Sequence, residues 1–131
     1  MKKEGILNAQ LNHLISRLGH TDMIAIADCG LPIPNHVERI DLALVQGIPS
    51  FEEVLRAIAG EIVVEKIYLA KETRAHNRPC FEYLQRQFAE VEREELSHEE
   101  LKRRLPQAKA VIRTGEATPY SNIILVCGVA F

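Results

Sequence analysis

Cysteine is scarce in this chain, and what there is does not pair. Cys29, Cys80 and Cys127 are odd in number and far apart, with no Cys-x-x-Cys among them. Neither a disulfide framework nor a structural zinc site is supported, and the three read as small buried thiols in a reducing compartment. Charge of one sign is also lacking: 16 Lys and Arg face 18 Asp and Glu, a net charge of −2. No basic stripe marks a nucleic-acid partner, and no acidic block marks a tail. No apolar run approaches a membrane span, and the N-terminus lacks a signal-peptide core, so the expected location is the cytoplasm. Gly-x-Gly-x-x-Gly, Gly-x-x-x-x-Gly-Lys and Gly-x-Ser-x-Gly are all absent. The usual signatures of nucleotide binding and serine-nucleophile chemistry go with them. There is no His-x-x-x-His or His-Glu-x-x-His, and His98, Glu99 and Glu100 take successive helical positions that point different ways. No metal site is expected.

What is present is an ordinary globular composition, 47% apolar and 26% charged over 131 residues, enough for one domain with a proper core. Its organising stretch runs from Met23 to Pro34. Five apolar residues make a short buried strand, Asp28 stands at its carboxyl end, and Gly30, Pro32 and Pro34 forbid regular continuation. In open α/β sheets the carboxyl ends of strands face the ligand crevice. Asp28 therefore either grips a polar ligand or caps the turn through its own backbone.

Apolar residues at helical spacing, from Leu7 through Leu11, Leu14 and Ile15 to Leu18, predict a first helix over Ile6–Leu18 with Gly19 as terminator. His20 then falls in a very short helix-to-strand connection. Ile40–Leu44 reads as a second strand. Ser50 and Glu53 form a capping box before a helix built on Phe51, Val54, Leu55 and Ile58. Glu65–Ala70 is a third strand, followed by a polar stretch from Lys71. Asn77 caps a helix with Pro79 in its first turn, and its apolar face is Phe81, Leu84 and Phe88. Val91–Leu96 reads as a charged edge strand. Ser97 and Glu100 open another helix, ended by Pro106, with His98 in its first turn and Lys102 one turn on. The strands Ala110–Thr114 and Asn122–Val126 are separated only by Gly115–Ser121, too short for a parallel crossover, and are expected to pair as an antiparallel hairpin. The fold class is thus α/β: one domain over residues 1–131, a mixed and mostly parallel sheet, helices on both faces and a C-terminal antiparallel hairpin.

Among candidate functional side chains, His13, His36 and His76 lie in polar surroundings and read as solvated. His20 and His98 sit at loop-to-element junctions, from which side chains can be aimed into a crevice. The run Arg113–Asn122 carries a guanidinium, hydroxyls, a carboxylate, a phenol and an amide around Gly115 and Pro119. It suits a ligand covered in hydroxyls, or else is a polar hairpin turn.

Four stretches then carry a resemblance: Leu18-Gly19-His20-Thr21-Asp22; Ile26-Ala27-Asp28 with Gly30-Leu31-Pro32 and Pro34; Leu96-Ser97-His98-Glu99-Glu100; and Val111-Ile112-Arg113-Thr114-Gly115-Glu116 with Thr118-Pro119-Tyr120 and Asn122. In this order, and over essentially the whole chain, they resemble the D-ribose pyranase family. The related fucose mutarotases share the Gly-His and Asp-x-x-x-Pro elements, but the Arg113–Tyr120 run is more similar to the ribose branch. The resemblance implies interconversion of the pyranose and furanose forms of D-ribose without metal or coenzyme. It casts His20 as proton donor or acceptor and Asp28 as a partner to it or to the sugar. His98, Tyr120 and Asn122 become sugar ligands, with Ser121 in the same turn and Lys102 a further candidate. Cys29 and Ser121 stand where alanine is common in the family. The family forms rings, decamers of two stacked pentamers with sites between neighbouring subunits. The expected partners are therefore D-ribose and further copies of this chain, with no nucleic acid and no membrane.

The chemistry is compatible with these residues. Ring opening and reclosure proceed in water over minutes, a barrier of roughly 21–22 kcal/mol, and a placed acid or base contributes a factor of roughly 10²–10⁴. An imidazole titrates near neutrality and suffices. Two other functions remain open on sequence alone: a mutarotase for fucose or another free sugar, and a sugar-binding regulatory module without turnover.

Overall fold

The five apolar residues at the centre of the sequence argument, Met23–Ala27, form β1, and Ile24 to Ala27 are buried. An unbroken apolar run needs cover on both faces, and the computed structural model, which describes residues 1–131, places β1 inside a six-stranded sheet of order β2-β5-β1-β6-β3-β4. The other strands are β2 (Glu38–Asp41), β3 (Val64–Ala70), β4 (Glu92–Leu96), β5 (Ala110–Arg113) and β6 (Ile123–Cys127). The pairs β1–β5, β2–β5 and β3–β4 are parallel, and β6 runs antiparallel to both β1 and β3.

The antiparallel C-terminal strand is as expected, but its hairpin partner is not. β1 lies between β5 and β6, with Ile26 facing Ile112 on one side and Ile123 on the other. Strands stand about 4.8 Å apart, so crossing over one strand needs a span of only roughly 10 Å. The Thr114–Asn122 connection makes that step across the carboxyl end of β1. Burying both edges of β1 decides the pairing.

Helices α1 (Ala9–Ile15), α2 (Phe51–Ala59) and α4 (Arg78–Gln87) cover one face. There Leu11, Leu14, Leu55, Ile58, Phe81 and Leu84 meet Ile24, Ile26, Ile112 and Leu125 in the larger core. Helix α5 (His98–Arg104) and the 3₁₀ turn Leu105–Gln107 cover the other, packing Leu101 and Leu105 on Ala25, Ala27 and Val111. Helices thus lie on both faces. No helix is long and apolar enough to cross a membrane.

Several boundaries move for local reasons. The first helix begins only at Ala9, because Asn8 caps it by accepting from the Leu11 N–H at 2.9 Å; it ends at Ile15, and Leu7 is left exposed. The second strand stops at Asp41, whose carboxylate accepts from the Ala43 N–H at 3.1 Å and turns the chain. The polar stretch Lys71–His76 is a helix, α3. It has no apolar stripe to read, and its one buried residue, Thr73, is held by a tertiary contact. The Ser50–Glu53 capping box is complete. At α5, Ser97 accepts from the Glu100 N–H at 3.1 Å, and it is Glu72 on α3 that accepts from the His98 N–H at 2.8 Å. Strand β4, with its charged residues, is the sheet edge expected.

Candidate active site

The carboxyl ends of the parallel strands and the start of antiparallel β6 share one edge of the sheet. A cleft of about 730 Å³ opens there, within the range of small-molecule sites. Its walls are Asp28–Pro32 after β1, Ala43–Gln46 beyond β2, His98 at the start of α5, and the Arg113–Tyr120 run after β5.

Asp28 caps its own turn and is also gripped from across the sheet. Its Oδ1 accepts from the Gly30 N–H at 3.0 Å, an Asx turn, while its Oδ2 accepts from Asn122 Nδ2 at 3.0 Å. The Asn122 Oδ1 in turn accepts from the Asp28 N–H at 3.0 Å. Arg113 is committed to the scaffold: Nη1 donates to both Asp41 oxygens at 3.1 Å, and Nε donates to the Cys29 carbonyl at 3.1 Å. Burial pushes the Asp41 carboxyl up, but the Ala43 N–H and the Arg113 guanidinium outweigh it and hold the group below its ordinary value. Gly115 is needed for packing, since a Cβ there would collide with the backbone of Ile48. The Gly115 N–H instead donates to the Pro49 carbonyl at 2.8 Å and its carbonyl accepts from Gly47 N at 2.5 Å, fastening the Ala43–Pro49 wall.

Tyr120 takes a left-handed backbone, φ 65°, which a bulky residue holds only under external restraint. The restraints come from helices the sequence did not connect to this turn. Thr73 Oγ1 donates to the Tyr120 carbonyl at 2.9 Å, and Asn77 Nδ2 donates to the Pro119 carbonyl and to Ser121 Oγ, each at 2.9 Å. The Tyr120 ring stands edge-on to His98 at 5.2 Å and near His76 at 5.9 Å. His98 Nδ1 is the only buried side-chain nitrogen or oxygen without a hydrogen-bond partner.

The structure thus brings Asp28, His98, Tyr120 and Asn122 together. It separates three other candidates. Ser121 is buried and turned to Asn77, lining a cavity of about 170 Å³ with Phe51 and Cys80. Burial pushes the Cys80 thiol up to about 12. Lys102 pairs with Glu99 at 2.6 Å and is not part of the cleft wall. His20 lies at the opposite edge of the sheet, before the start of β1. The five residues of β1 separate the two edges by roughly 17 Å. There His20 Nε2 stands 2.9 Å from Glu65 Oε2, beside a second hollow formed with Leu18, Val63 and the C-terminal Cys127–Phe131. Burial pushes the Cys127 thiol up to about 11. No three His, Cys, Asp or Glu side chains are grouped to hold a metal ion. Glu65, Thr73 and the anchoring role of Asn77 carried no legible signal in the sequence. The first looked like the start of an ordinary strand, the second like part of a loop, and the third only like a cap.

A family model described as the RbsD / FucU transport protein family matches residues 1–130. The chain belongs to this family. A family relative described as D-ribose pyranase, from Geobacillus thermodenitrificans, is 57% identical over 131 residues, covering 100% of this chain and 99% of the relative. The solved RbsD of Bacillus subtilis, described as complexed with D-ribose, is 51% identical and superposes with a TM-score of 0.97 over 100% of both chains. A fucose mutarotase of Streptococcus pneumoniae, described as in complex with L-fucose, shares the RbsD / FucU fold with a TM-score of 0.72 over 95% of each chain, at 22% identity.

Proposed function

We propose that this protein is an isomerase that interconverts the pyranose and furanose forms of D-ribose. The observation that carries this reading is the full-length likeness to the RbsD described as complexed with D-ribose, at 51% identity and a TM-score of 0.97. The cleft fits it, because a sugar presents hydroxyls that need both donors and acceptors. Asp28 offers a fixed carboxylate, Asn122 an oriented amide, and His98 and Tyr120 a polar, aromatic wall. The fucose alternative is not favoured, since the fucose mutarotase above is similar in fold at only 22% identity.

In the reaction, a base takes the proton from the anomeric hydroxyl, the bond from C1 to the ring oxygen breaks, and that oxygen receives a proton. A different hydroxyl then adds to C1 and closes the other ring. We assign the proton transfers to His20 and sugar binding to Asp28, His98, Tyr120 and Asn122. Ser121 supports the turn through Asn77, and Lys102 lies within α5, paired with Glu99. No metal or coenzyme is assigned.

His20 and Asp28 of one chain stand at opposite sheet edges and cannot reach one ribose. If both act on the same sugar, they come from different copies joined head to tail, a heterologous contact that closes into a ring. Leu44, Val45 and Ile48 are exposed near the cleft, and Val63, Val129 and Phe131 near His20, apolar surface suited to such a contact. The decamer of two pentameric rings is the assembly we propose on the family resemblance. A cytoplasmic location suits three unpaired cysteines.

The test is NMR exchange spectroscopy on free D-ribose. Exchange between pyranose and furanose signals should rise in proportion to added protein, with L-fucose responding less. Ribose that binds without faster exchange would leave a binding module instead.

A further inference from the structure

The carboxylate that meets His20 is put there by a fault in the sheet. From Lys66 to Ala70, β3 alternates regularly: Ile67 and Leu69 join the core under α1, α2 and α4, while Tyr68 and Ala70 face the α5 layer. Continued backwards, this alternation would send Val64 to the α5 side, yet Val64 packs against the first core. The parity changes because the pairing slips. Val64 faces Cys127 and Lys66 faces Val126, so β3 advances two residues where β6 advances one. Glu65 is the extra residue of a β-bulge, a device that re-aims a side chain.

Released from the ladder, Glu65 reaches His20 Nε2 at 2.9 Å. Gly128 gives it room: a Cβ there would stand 3.2 Å from Glu65 Cβ and 3.1 Å from Val63 Cγ1. The ring's own turn is pinned by Thr21, at φ 69°, whose N–H donates to the Cys127 carbonyl at 2.9 Å. Neighbouring acids are already engaged. Asp22 accepts from the Gly19 N–H at 2.9 Å and faces Lys109 at 3.7 Å, and Glu61 accepts from the Ile6 N–H at 2.6 Å. His20 and Glu65 side chains are 54% and 42% exposed, and so open a pair adds little to stability. Orientation is what the contact supplies.

We propose that Glu65 is the positioning residue for His20: it accepts the Nε2–H, holds the neutral ring in that tautomer, and leaves Nδ1 to exchange protons with the sugar. The inference rests on the assignment of His20 as the acid/base. The proton passes from the anomeric hydroxyl to Nδ1 and on to the ring oxygen, and Glu65 stays ionised throughout.

The experiment compares the intact protein with Glu65→Leu, Glu65→Gln, His20→Ala and the Glu65→Leu/His20→Ala double variant, reading ribose exchange, ribose affinity and the nitrogen NMR shifts of His20. In the unaltered protein, neutral His20 should carry its proton on Nε2; a proton on Nδ1 overturns the proposal without any variant. Glu65→Leu should lower exchange at saturating ribose at least about tenfold, part of the full acid/base factor, with affinity unchanged and the tautomer signal shifted. Glu65→Gln keeps an acceptor oxygen at the same reach and should recover most of both. The double variant should be no slower than His20→Ala, as groups acting in series require. Normal exchange in Glu65→Leu beside slow His20→Ala, an unmoved tautomer signal, or a double variant slower than His20→Ala overturns the role of Glu65 alone. Normal exchange in His20→Ala overturns the assignment beneath it.

Discussion

Asn122 holds Asp28 with both ends of its amide, accepting from the Asp28 N–H and donating to Oδ2, each at 3.0 Å. The clamp exists because β1 and β6 are antiparallel neighbours, so the residue after the end of one meets the residue before the start of the other. A carboxylate at a cleft wall is thereby oriented before any ligand arrives.

Asn122→Ala removes both bonds and leaves Asp28 to solvent. It should cost about 1–3 kcal/mol of stability and weaken ribose binding, read by thermal melting and by titration calorimetry. Tyr120→Phe removes only a hydroxyl and should leave melting unchanged while weakening binding by a similar amount. Unaltered affinity in both variants would place the Tyr120 turn outside the sugar site.

A site shared between copies can be tested by complementation. His20→Ala and Tyr120→Ala proteins, each expected to have lost exchange activity, are dissociated and reassembled together. Some mixed interfaces then pair an intact His20 with an intact Tyr120, and partial exchange activity should return. Mixed assemblies as inactive as either parent would show that one chain holds a complete site.

Gly115→Ala should be poorly tolerated, because its Cβ meets the Ile48 backbone rather than a side chain that can swing away. An overpacking cost of roughly 1–3 kcal/mol is expected, with faster hydrogen exchange over residues 43–49. Unaltered melting and exchange would mean that the two loops do not touch.

Acid should loosen the β4 edge. Arg74 donates to both Glu95 oxygens, at 2.9 and 2.5 Å, and this contact holds the Glu95 carboxyl below its ordinary value of 4.5. A lowered carboxyl favours the folded state fully above that ordinary value, and the contribution is lost as pH falls through the lowered one. Glu95→Gln should therefore melt below the wild type at pH 7, with the gap closing below about pH 4.5. A gap constant into acid would remove the ion pair as its cause.

Prolonged dialysis against a chelator should leave ribose exchange unchanged, since the proton transfers assigned to His20 call for an imidazole alone. Loss of activity that zinc restores would recast His20, Asp28 and His98 as ligands contributed across copies.

Local patterns carried much of this protein. The apolar run Met23–Ala27, the Ser50–Glu53 box and the Asn77 cap are short-range statements, and each stands where the sequence puts it. Asp28 at the end of a buried strand was likewise readable, because the carboxyl end of a central strand has one place to go. Long-range choices were not. The hairpin expected of β5 and β6 gave way to insertion of β1 between them, since burial of a strand apolar on both faces outweighs the nearness of two strands in sequence. Helix α3 formed without an apolar stripe because Thr73 found the Tyr120 carbonyl. His20 and Asp28, eight positions apart, went to opposite edges of the sheet because the strand between them is extended. Sequence alone named the candidate residues; tertiary structure decided which of them can meet, since that depends on where each strand starts and ends in the sheet, and strand order is settled by what the whole sheet must bury.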